Sequence, residues 1–182
     1  MKFTPTTIPD VQIITPVLHK DERGFFMETF QKALFAGAGI DDSFVQENHS
    51  GSAQGTLRGL HYQIQQAQGK LVQVVSGEIF DVAVDIRQSS SSFGNWVGKV
   101  LSADNRQQMW IPTGFAHGFY VLSEWANVIY KVTDYYSPEW ERTLLWNDPD
   151  LGIKWPLNLS IPLLISDKDA DGVPLKDIET FG

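Results

Sequence analysis

Cysteine and long apolar segments are both absent from this sequence. None of the 182 residues is Cys, which excludes a disulfide scaffold and thiol chemistry but leaves the cellular compartment open. No apolar run approaches the roughly 20 residues that cross a bilayer. Residues 1–10 also lack the apolar stretch of a signal peptide. We therefore expect a cytoplasmic protein that does not span a membrane.

Positive charge is scarce in this chain. Lys and Arg together number 14 against 22 Asp and Glu, so the formal net charge is −8 at pH 7 and the pI is near 4.8. This balance argues against nucleic acid or an anionic membrane as the partner. An anionic ligand would need a local cluster of cations, because the average field of the protein repels it.

Repeats, heptads and interdomain linkers are absent as well. The one low-complexity tract is Ser89–Ser92, which is typical of a surface loop. With 15 Gly and 9 Pro, the composition does not indicate disorder. A chain of this length buries about two thirds of its unfolded surface in one core. We therefore expect a single domain over residues 1–182, with the segment from Asp148 onward packing back on it.

Short β-type segments dominate the chain. They are rich in Val, Ile, Phe, Tyr and Trp and are separated by Gly, Pro, Asp or Ser, which is typical of strands joined by turns. The pattern predicts strands at Val11–Leu18, Phe25–Phe30, Phe44–Glu47, Leu71–Val75, Ile79–Ile86, Trp96–Leu101, Met109–Ile111, Phe115–Leu122, Asn127–Tyr135 and Thr143–Trp146.

One of these segments, Ile79–Ile86, has the clearest alternation. Its apolar side chains at even positions alternate with Asp81 and Asp85, which predicts a strand with one buried face. The only early helix is predicted over Gln31–Ala38, ending at Gly39. Together these features predict an all-β jelly roll or barrel with a few short helices.

A cluster of cations and an imidazole stands out in this acidic chain. Arg58, His61 and Lys70 lie within thirteen residues, which predicts a pocket for an anion with His61 as a candidate base. In a regular strand Arg58 and His61 would point to opposite faces, but a bulge at Gly59 would turn both into one cavity. The alternative is a histidine with only a structural role.

Three further sites carry chemically useful side chains, each with a structural alternative. His117 begins an apolar run and could be a core histidine bonded to a backbone carbonyl. Tyr130 lies in an alternating segment where an aromatic usually packs in the core. Asp167, Lys168 and Asp169 form a charged triplet that could be solvated, or could supply the carboxylate that holds a catalytic imidazole in one tautomer. Spacing does not decide between Asp167 and Asp169.

The surroundings of His61 resemble the first metal-binding box of the cupin superfamily, which runs Gly, His-x-His, Glu and Gly. His61 occupies the first His place, Gln63 the second and Lys70 the Glu place, and Gly77 follows seven residues later. The second box, Pro-x-Gly-x-x-His, is intact at residues 112–117. An ammonium group repels a divalent metal. The resemblance therefore implies a cupin pocket that holds an anion instead of a metal.

The chain as a whole resembles the dTDP-4-dehydrorhamnose 3,5-epimerase family of deoxysugar biosynthesis. The resemblance covers nearly all of the chain and rests on motifs at residues 21–26, 46–50, 58–63, 69–72, 77–85, 111–119, 130–131, 135–138 and 145–148. The sequence departs from the family at Gln66, in a loop where a proline is common. The resemblance implies a jelly-roll homodimer without metal or cofactor. Its expected activity is inversion of C3 and C5 of dTDP-4-dehydro-6-deoxy-D-glucose to give dTDP-4-dehydro-L-rhamnose.

The same resemblance implies a role for each candidate residue. His61 is the expected base, Asp169 its orienting carboxylate, Tyr130 the proton donor on the opposite face and Lys70 the group that stabilises the enolate oxygen. The remaining expected substrate contacts are Arg23, Glu28, Gln46, Asn48, Arg58, His117, Tyr136, Glu141 and Lys168.

Three other functions compete with this one. A single-site 3- or 5-epimerase or ketoisomerase would use the same scaffold, and Tyr130 does not show whether C5 also inverts. A non-catalytic cupin that binds a nucleotide sugar would need the cations and aromatics but not a base with an acid. A metal-dependent cupin is disfavoured by Gln63 and Lys70.

Overall fold

The structure is a computed structural model that describes the whole chain, Met1 to Gly182. Two short helices accompany the strands, α1 at Lys32–Gly37 and α2 at Asp167–Ala170, with a 3-10 turn at Leu175–Asp177. The strands are β1 Lys2–Pro5, β2 Gln12–Thr15, β3 Leu18–Asp21, β4 Gly24–Met27, β5 Gln46–Ala53, β6 Leu57–Gln63, β7 Lys70–Ser76, β8 Glu78–Asp85, β9 Trp96–Ser102, β10 Gln108–Ile111, β11 Phe115–Val121, β12 Trp125–Val132 and β13 Glu141–Thr143.

These strands form two large antiparallel sheets and a separate hairpin. The six-stranded sheet has the order β1-β2-β10-β7-β12-β5, and the five-stranded sheet has the order β13-β6-β11-β8-β9. Strands β3 and β4 pair only with each other. The predicted all-β jelly roll is confirmed. The longest helix, α1, has six residues, and no helix is long and apolar enough to cross a membrane.

The main core lies between the two large sheets. Val72, Val74 and Val128 from the six-stranded sheet pack with Ile79 and Phe119 from the five-stranded sheet in one buried cluster. Full burial of each such side chain stabilises the fold by about 1.5–3 kcal/mol. This cluster forms the core between the two sheets.

A second cluster covers the outer face of the five-stranded sheet. Val82, Val84 and Ile86 of this sheet region pack there against Leu151, with Phe181 at the margin. The predicted return of the C-terminal segment onto the domain is confirmed. Because this segment covers the outer face, both faces of the five-stranded sheet are buried.

This double burial corrects the prediction of a single buried face for β8. Asp81 and Asp85 are fully buried, with 0% of each residue exposed. The apolar even positions face the outer cluster, whereas Ala83 and Ile79 face the inter-sheet core. The polar positions therefore point inward. A two-residue period shows that a strand has two different faces, but it does not show which face is covered.

The central strands follow the sequence closely, and the differences lie at the edges. Strands β7 to β11 and helix α1 agree with prediction to within one residue at each end. The predicted strand Val11–Leu18 instead contributes to both β2 and β3, because Pro16 lacks the N–H that would continue the ladder. Strands β4 and β12 end three residues earlier than predicted, at Met27 and Val132.

The largest differences from the predicted strands occur where the sequence is polar. Strands β1 and β6 were missed, β5 begins at Gln46 instead of Phe44 and extends to Ala53, and β13 lies at Glu141–Thr143 instead of Thr143–Trp146. Strand β5 is polar on both faces, because one face is exposed and the other lines a polar pocket. Hydrophobic alternation cannot detect such a strand.

Candidate active site

A bulge in β6 turns Arg58 and His61 toward the same pocket. Opposite them on β11 lie Phe119 and His117, so three steps along β6 face only two steps along β11. The extra residue is accommodated at Gly59, whose φ is 114°. A Cβ atom there would lie 2.5 Å from the facing backbone of β11. Only glycine fits this position, and the predicted bulge is confirmed.

The pocket between the sheets has two lobes, with volumes of about 280 and 240 Å³. Side chains from both sheets line both lobes: His61, Lys70, Tyr130, Tyr136 and Glu141. The first lobe is completed by Gln46, Asn48, Tyr62, Gln63 and Gln68. The second lobe is completed by Ser50, Arg58, His117, Gly118 and Phe119.

His61 is held by a carboxylate from the C-terminal helix. Its Nε2 lies 2.7 Å from Oδ1 of Asp169, and the backbone N–H of Gly59 donates to Oδ2 of the same carboxylate at 3.2 Å. Ser166 caps α2 by accepting a hydrogen bond from the Asp169 N–H. Burial opposes the charged form, but the bonds from His61 and Gly59 hold the pKa of Asp169 below its ordinary value. Asp169, and not Asp167, makes this contact.

Lys70 lies beside His61 in the interior. Only 7% of the residue is exposed, and Nζ donates to the backbone carbonyl of His61 at 3.1 Å. Burial lowers the pKa of Lys70 to about 8, although the charge of Asp81 opposes that change. The ammonium group is therefore poorly hydrated and is available to a developing negative charge in the pocket.

Tyr130 faces the pocket from the opposite sheet to His61. It lies on β12, paired with Asn48 on one side and Val72 on the other. Its ring packs against the main core while it lines both lobes, and burial raises the pKa of its hydroxyl. An imidazole on one wall of the pocket thus faces a phenol on the other wall.

A second histidine–carboxylate pair lies behind the first. Nε2 of His117 is 2.7 Å from Oδ1 of Asp81, and both side chains are buried. Burial lowers the pKa of His117, against the attraction of Asp81. Oδ2 of Asp81 has no hydrogen-bond partner. Asp81 was not among the residues expected in the site. It reaches His117 because the odd-numbered side chains of β8 point inward, and the sequence does not show which face of the strand points inward.

Glu141 connects the pocket wall to two neighbouring groups. Its Oε2 accepts hydrogen bonds from the Tyr136 hydroxyl at 2.8 Å and from the Lys168 ammonium at 2.6 Å. Burial works against the charged carboxylate, but these two donors hold the pKa of Glu141 below its ordinary value. The Tyr136–Glu141 hydrogen bond joins two side chains that belong to both lobes.

Polar groups of β5 and β6 complete the more open part of the pocket. Nε2 of Gln46 donates to Oδ1 of Asn48 at 2.8 Å, and Nε of Arg58 donates to Oγ of Ser52 at 3.0 Å. The remaining donors of Arg58 are free to meet an anion. Eleven of the thirteen expected site residues thus converge here, since all line the pocket except Asp169 and Lys168, which bond to its walls.

Arg23 and Glu28 are the two expected site residues that lie elsewhere. The Arg23 side chain is 85% exposed in the β3–β4 hairpin and pairs with Asp21 at 2.5 Å. Glu28 follows β4 and lines a surface depression near Phe26. Neither residue lines the pocket of its own chain.

This chain is similar in sequence to the members of one enzyme family. The model of the family described as dTDP-4-dehydrorhamnose 3,5-epimerase matches residues 5–177. A dTDP-4-dehydrorhamnose 3,5-epimerase from Pseudomonas aeruginosa is 57% identical over 182 residues, which cover 100% of this chain and 99% of the relative.

Solved structures with similar folds include two that contain a nucleotide sugar. The dTDP-6-deoxy-D-glucose-3,5-epimerase from Legionella pneumophila, in complex with dTDP-4-keto-L-rhamnose, has a TM-score of 0.94 at 53% identity and covers 98% of this chain and 94% of its own. A 3'-monoepimerase from Streptomyces bikiniensis, in complex with dTDP-quinovose, has a TM-score of 0.88 at 34% identity and covers 94% of this chain and 87% of its own.

Proposed function

The chain belongs to the dTDP-4-dehydrorhamnose 3,5-epimerase family, and we propose that His61 and Tyr130 are the base and the acid of its reaction. The protein is an isomerase that inverts C3 and C5 of dTDP-4-dehydro-6-deoxy-D-glucose to give dTDP-4-dehydro-L-rhamnose, in dTDP-L-rhamnose biosynthesis. The observation that carries the assignment of residues is the 2.7 Å contact of His61 with Asp169 in a pocket whose opposite wall holds Tyr130.

The chemistry needs a base and an acid on opposite faces of the sugar. The C4 ketone acidifies the hydrogens on C3 and C5, so His61 can remove one as a proton and leave an enolate. Tyr130 then returns a proton to the same carbon from the other face, which inverts it. The Lys70 ammonium stabilises the enolate oxygen, and such a donor contributes on the order of 10²–10³ in rate.

The tautomer of His61 follows from its hydrogen bond. Because Nε2 faces the charged Asp169, the N–H is assigned to Nε2, and Nδ1 keeps the lone pair that accepts the substrate proton. The imidazolium that forms is stabilised by Asp169 through the same bond. Asp169 therefore acts by orientation and charge, and it remains ionised throughout.

Substrate binding is assigned to the polar rim of the pocket. Arg58 and Lys168 supply positive charge for the diphosphate, which the overall net charge of −8 would otherwise repel. Gln46 and Asn48 offer amide groups to the nucleotide, and Tyr136 offers a stacking surface. The polar groups His117 and Glu141 complete the proposed substrate contacts.

We propose a homodimer in which Arg23 and Glu28 reach the pocket of the second copy. The support is their position: both lie on or next to an exposed hairpin, outside the pocket of their own chain. Phe25 and Phe26 of this hairpin are 57% and 70% exposed, and clustered exposed apolar side chains mark interaction sites. A cytoplasmic location remains part of the proposal, and cell fractionation tests it.

Hydrogen exchange with solvent tests the activity directly. The protein is incubated with dTDP-4-dehydro-6-deoxy-D-glucose in deuterium oxide, and NMR locates the deuterium. Exchange at both C3 and C5 is expected of a double epimerase. Deuterium at C3 alone would make the protein a single-site epimerase, and no exchange at either carbon would favour a binding protein.

A further inference from the structure

Gln63, which occupies the second histidine place of the cupin box, forms a buried clamp between two loops. Only 4% of the residue is exposed. Its Nε2 donates to the carbonyls of Gln66 at 2.7 Å and Tyr135 at 3.2 Å, and its Oε1 accepts from the N–H of Ser137 at 2.9 Å. The amide nitrogen and the amide oxygen of Gln63 therefore both bond to backbone groups, and neither is directed at a ligand in the pocket.

The clamp holds the backbone on both sides of Tyr136. Gln63 binds the residue before it and the residue after it, while Oε1 of Gln46 accepts the N–H of Tyr136 itself at 3.1 Å. Three successive backbone groups are thus fixed by two glutamine side chains. Both of these glutamines also line the first lobe of the pocket.

Beyond its backbone, the Tyr136 ring is held by partial packing and by one hydrogen bond at its hydroxyl. The residue is 52% exposed, so packing restrains it on one side only. Its hydroxyl donates to Glu141 at 2.8 Å, and Glu141 lies opposite Gln63 in the register of β13 with β6. The anchored backbone at one end and the Glu141 bond at the other therefore set where the ring lies between the two lobes.

The other end of the clamp also has an unusual conformation. Gln66 has a φ of 50°, which lies in the left-handed region that side chains other than glycine rarely adopt. A proline at this position could not take that conformation, since its φ is fixed near −65°. The bond from Gln63 to the Gln66 carbonyl holds this turn, so one side chain sets the geometry of both loops.

We propose that Gln63 is a positioning residue that acts through Tyr136 to set how the sugar is presented to His61. The inference rests on the proposed function of the pocket. The Tyr136 ring lies where the two lobes meet, so its position limits how far the sugar enters between His61 and Tyr130. Inversion of two carbons requires both C3 and C5 to reach the same base, and a shift of about 1 Å costs up to about a hundredfold in rate.

The test replaces the amide of Gln63 while keeping the length of the side chain. Gln63→Met removes all three hydrogen bonds, and Gln63→Glu keeps the acceptor for Ser137 but loses both donors. Gln54→Met is the matched control, because Gln54 is a half-buried glutamine whose Nε2 donates to the carbonyl of Leu122 at 2.6 Å and which lines neither lobe of the pocket. We measure kcat, KM, the ratio of deuterium at C3 to that at C5, and the Kd of thymidine diphosphate.

The expected result is a change in catalysis that depends on Tyr136. Gln63→Met should lower kcat/KM by about tenfold to a hundredfold and shift the C3 to C5 ratio. Gln63→Glu should do the same to a smaller extent, and it serves if the Met variant does not fold. Gln54→Met should leave kcat/KM and the ratio unchanged. In a Tyr136→Ala background, Gln63→Met should lower kcat/KM by less than about threefold, since the two residues act together.

Two results would overturn the proposal. One is an unaltered C3 to C5 ratio in both Gln63 variants, and the other is a Gln63 effect of the same size with and without Tyr136. Wild-type protein that exchanges neither hydrogen would reject the proposed function instead. In that case the Kd of dTDP-4-dehydro-6-deoxy-D-glucose, divided by the Kd of thymidine diphosphate, is measured for the same set of variants, and a ratio that Gln63→Met changes only when Tyr136 is present supports the positioning role.

Discussion

Nε2 of His61 lies 2.7 Å from Oδ1 of Asp169, although 108 residues separate them in the chain. Helix α2 places the carboxylate, and the Gly59 N–H holds its second oxygen. The proposed base and its proposed orienting carboxylate therefore come from distant parts of the sequence. Their contact makes the geometry of catalysis depend on the packing of the C-terminal segment against β6.

Asp169→Asn should abolish most turnover without loss of nucleotide binding. An amide can present its N–H to His61 and stabilise the wrong tautomer, and it cannot stabilise the imidazolium. We expect kcat to fall by on the order of 10³–10⁴, with the Kd of thymidine diphosphate within about twofold of wild type. Steady-state kinetics and calorimetry measure the two quantities. Asp167→Asn is the control, and an equal loss in that variant would contradict the assignment.

Tyr130→Phe should separate proton removal from inversion. The ring keeps its packing against the core, but the proton donor opposite His61 is lost. Exchange of the substrate hydrogens should persist while product formation falls by about 10²-fold or more. Deuterium NMR and product analysis on the same sample measure both. Unaltered product formation together with a lower melting temperature would instead show that Tyr130 serves packing alone.

Activity should fall as pH rises through about 8, because Lys70 then loses its proton. Burial lowers the pKa of Lys70 to about 8, so the charge that stabilises the enolate is present below that pH and absent above it. The raised pKa of Tyr130 keeps the acid protonated in the same range. Above about pH 8, kcat/KM should fall with increasing pH, and the slope should approach about a tenfold loss per pH unit.

The lowered pKa of Lys70 affects the free energy of unfolding in the opposite direction, because stability increases with pH where activity decreases. With a depressed pKa in the folded state, the unfolded chain binds the additional proton between about pH 8 and 10.5. The contribution of Lys70 to the free energy of unfolding therefore increases with pH over that interval. The Lys70→Arg variant should remain charged across this pH range. Its activity should be lower than that of wild type, but it should no longer decline above about pH 8. If activity of the Lys70→Arg variant still declines above about pH 8, the decline belongs to another titrating group.

Chelation should leave the activity intact. Lys70 stands where a cupin metal carboxylate would, and the amide of Gln63 is bonded to backbone groups. No three His, Asp or Glu side chains converge in the manner of a metal site. Turnover after dialysis against EDTA should equal that of untreated protein. Loss of turnover that a divalent ion restores would disprove the metal-free mechanism.

Mixed dimers should test the contribution of the hairpin to the second pocket. Arg23→Ala and His61→Ala proteins should each be nearly inactive. After mixing and exchange of subunits, one pocket of each heterodimer would have neither substitution, and up to about a quarter of wild-type activity should return. Recovery is measured by product formation. A monomer in light scattering, or no recovery after proven exchange, would contradict the shared site.

The class of fold and the kinds of groups in the pocket can be read from the amino-acid sequence. Apolar segments such as Leu71–Val75 and Phe115–Leu122 identify strands because their β-forming residues and the turn residues around them are local signals. The order of motifs around Arg58, His61 and Lys70 indicates an anion in place of a metal, since charge and residue type can be seen without coordinates.

Which of these groups contact one another depends on how the chain folds in three dimensions. The structure shows that Asp169 contacts His61, that Asp81 contacts His117 and that Arg23 lies outside the pocket of its own chain. Strand pairing and the packing of the C-terminal segment join residues far apart in sequence, and spacing carries no information about such contacts. The face of β8 that is polar in sequence is buried because another part of the chain covers the apolar face.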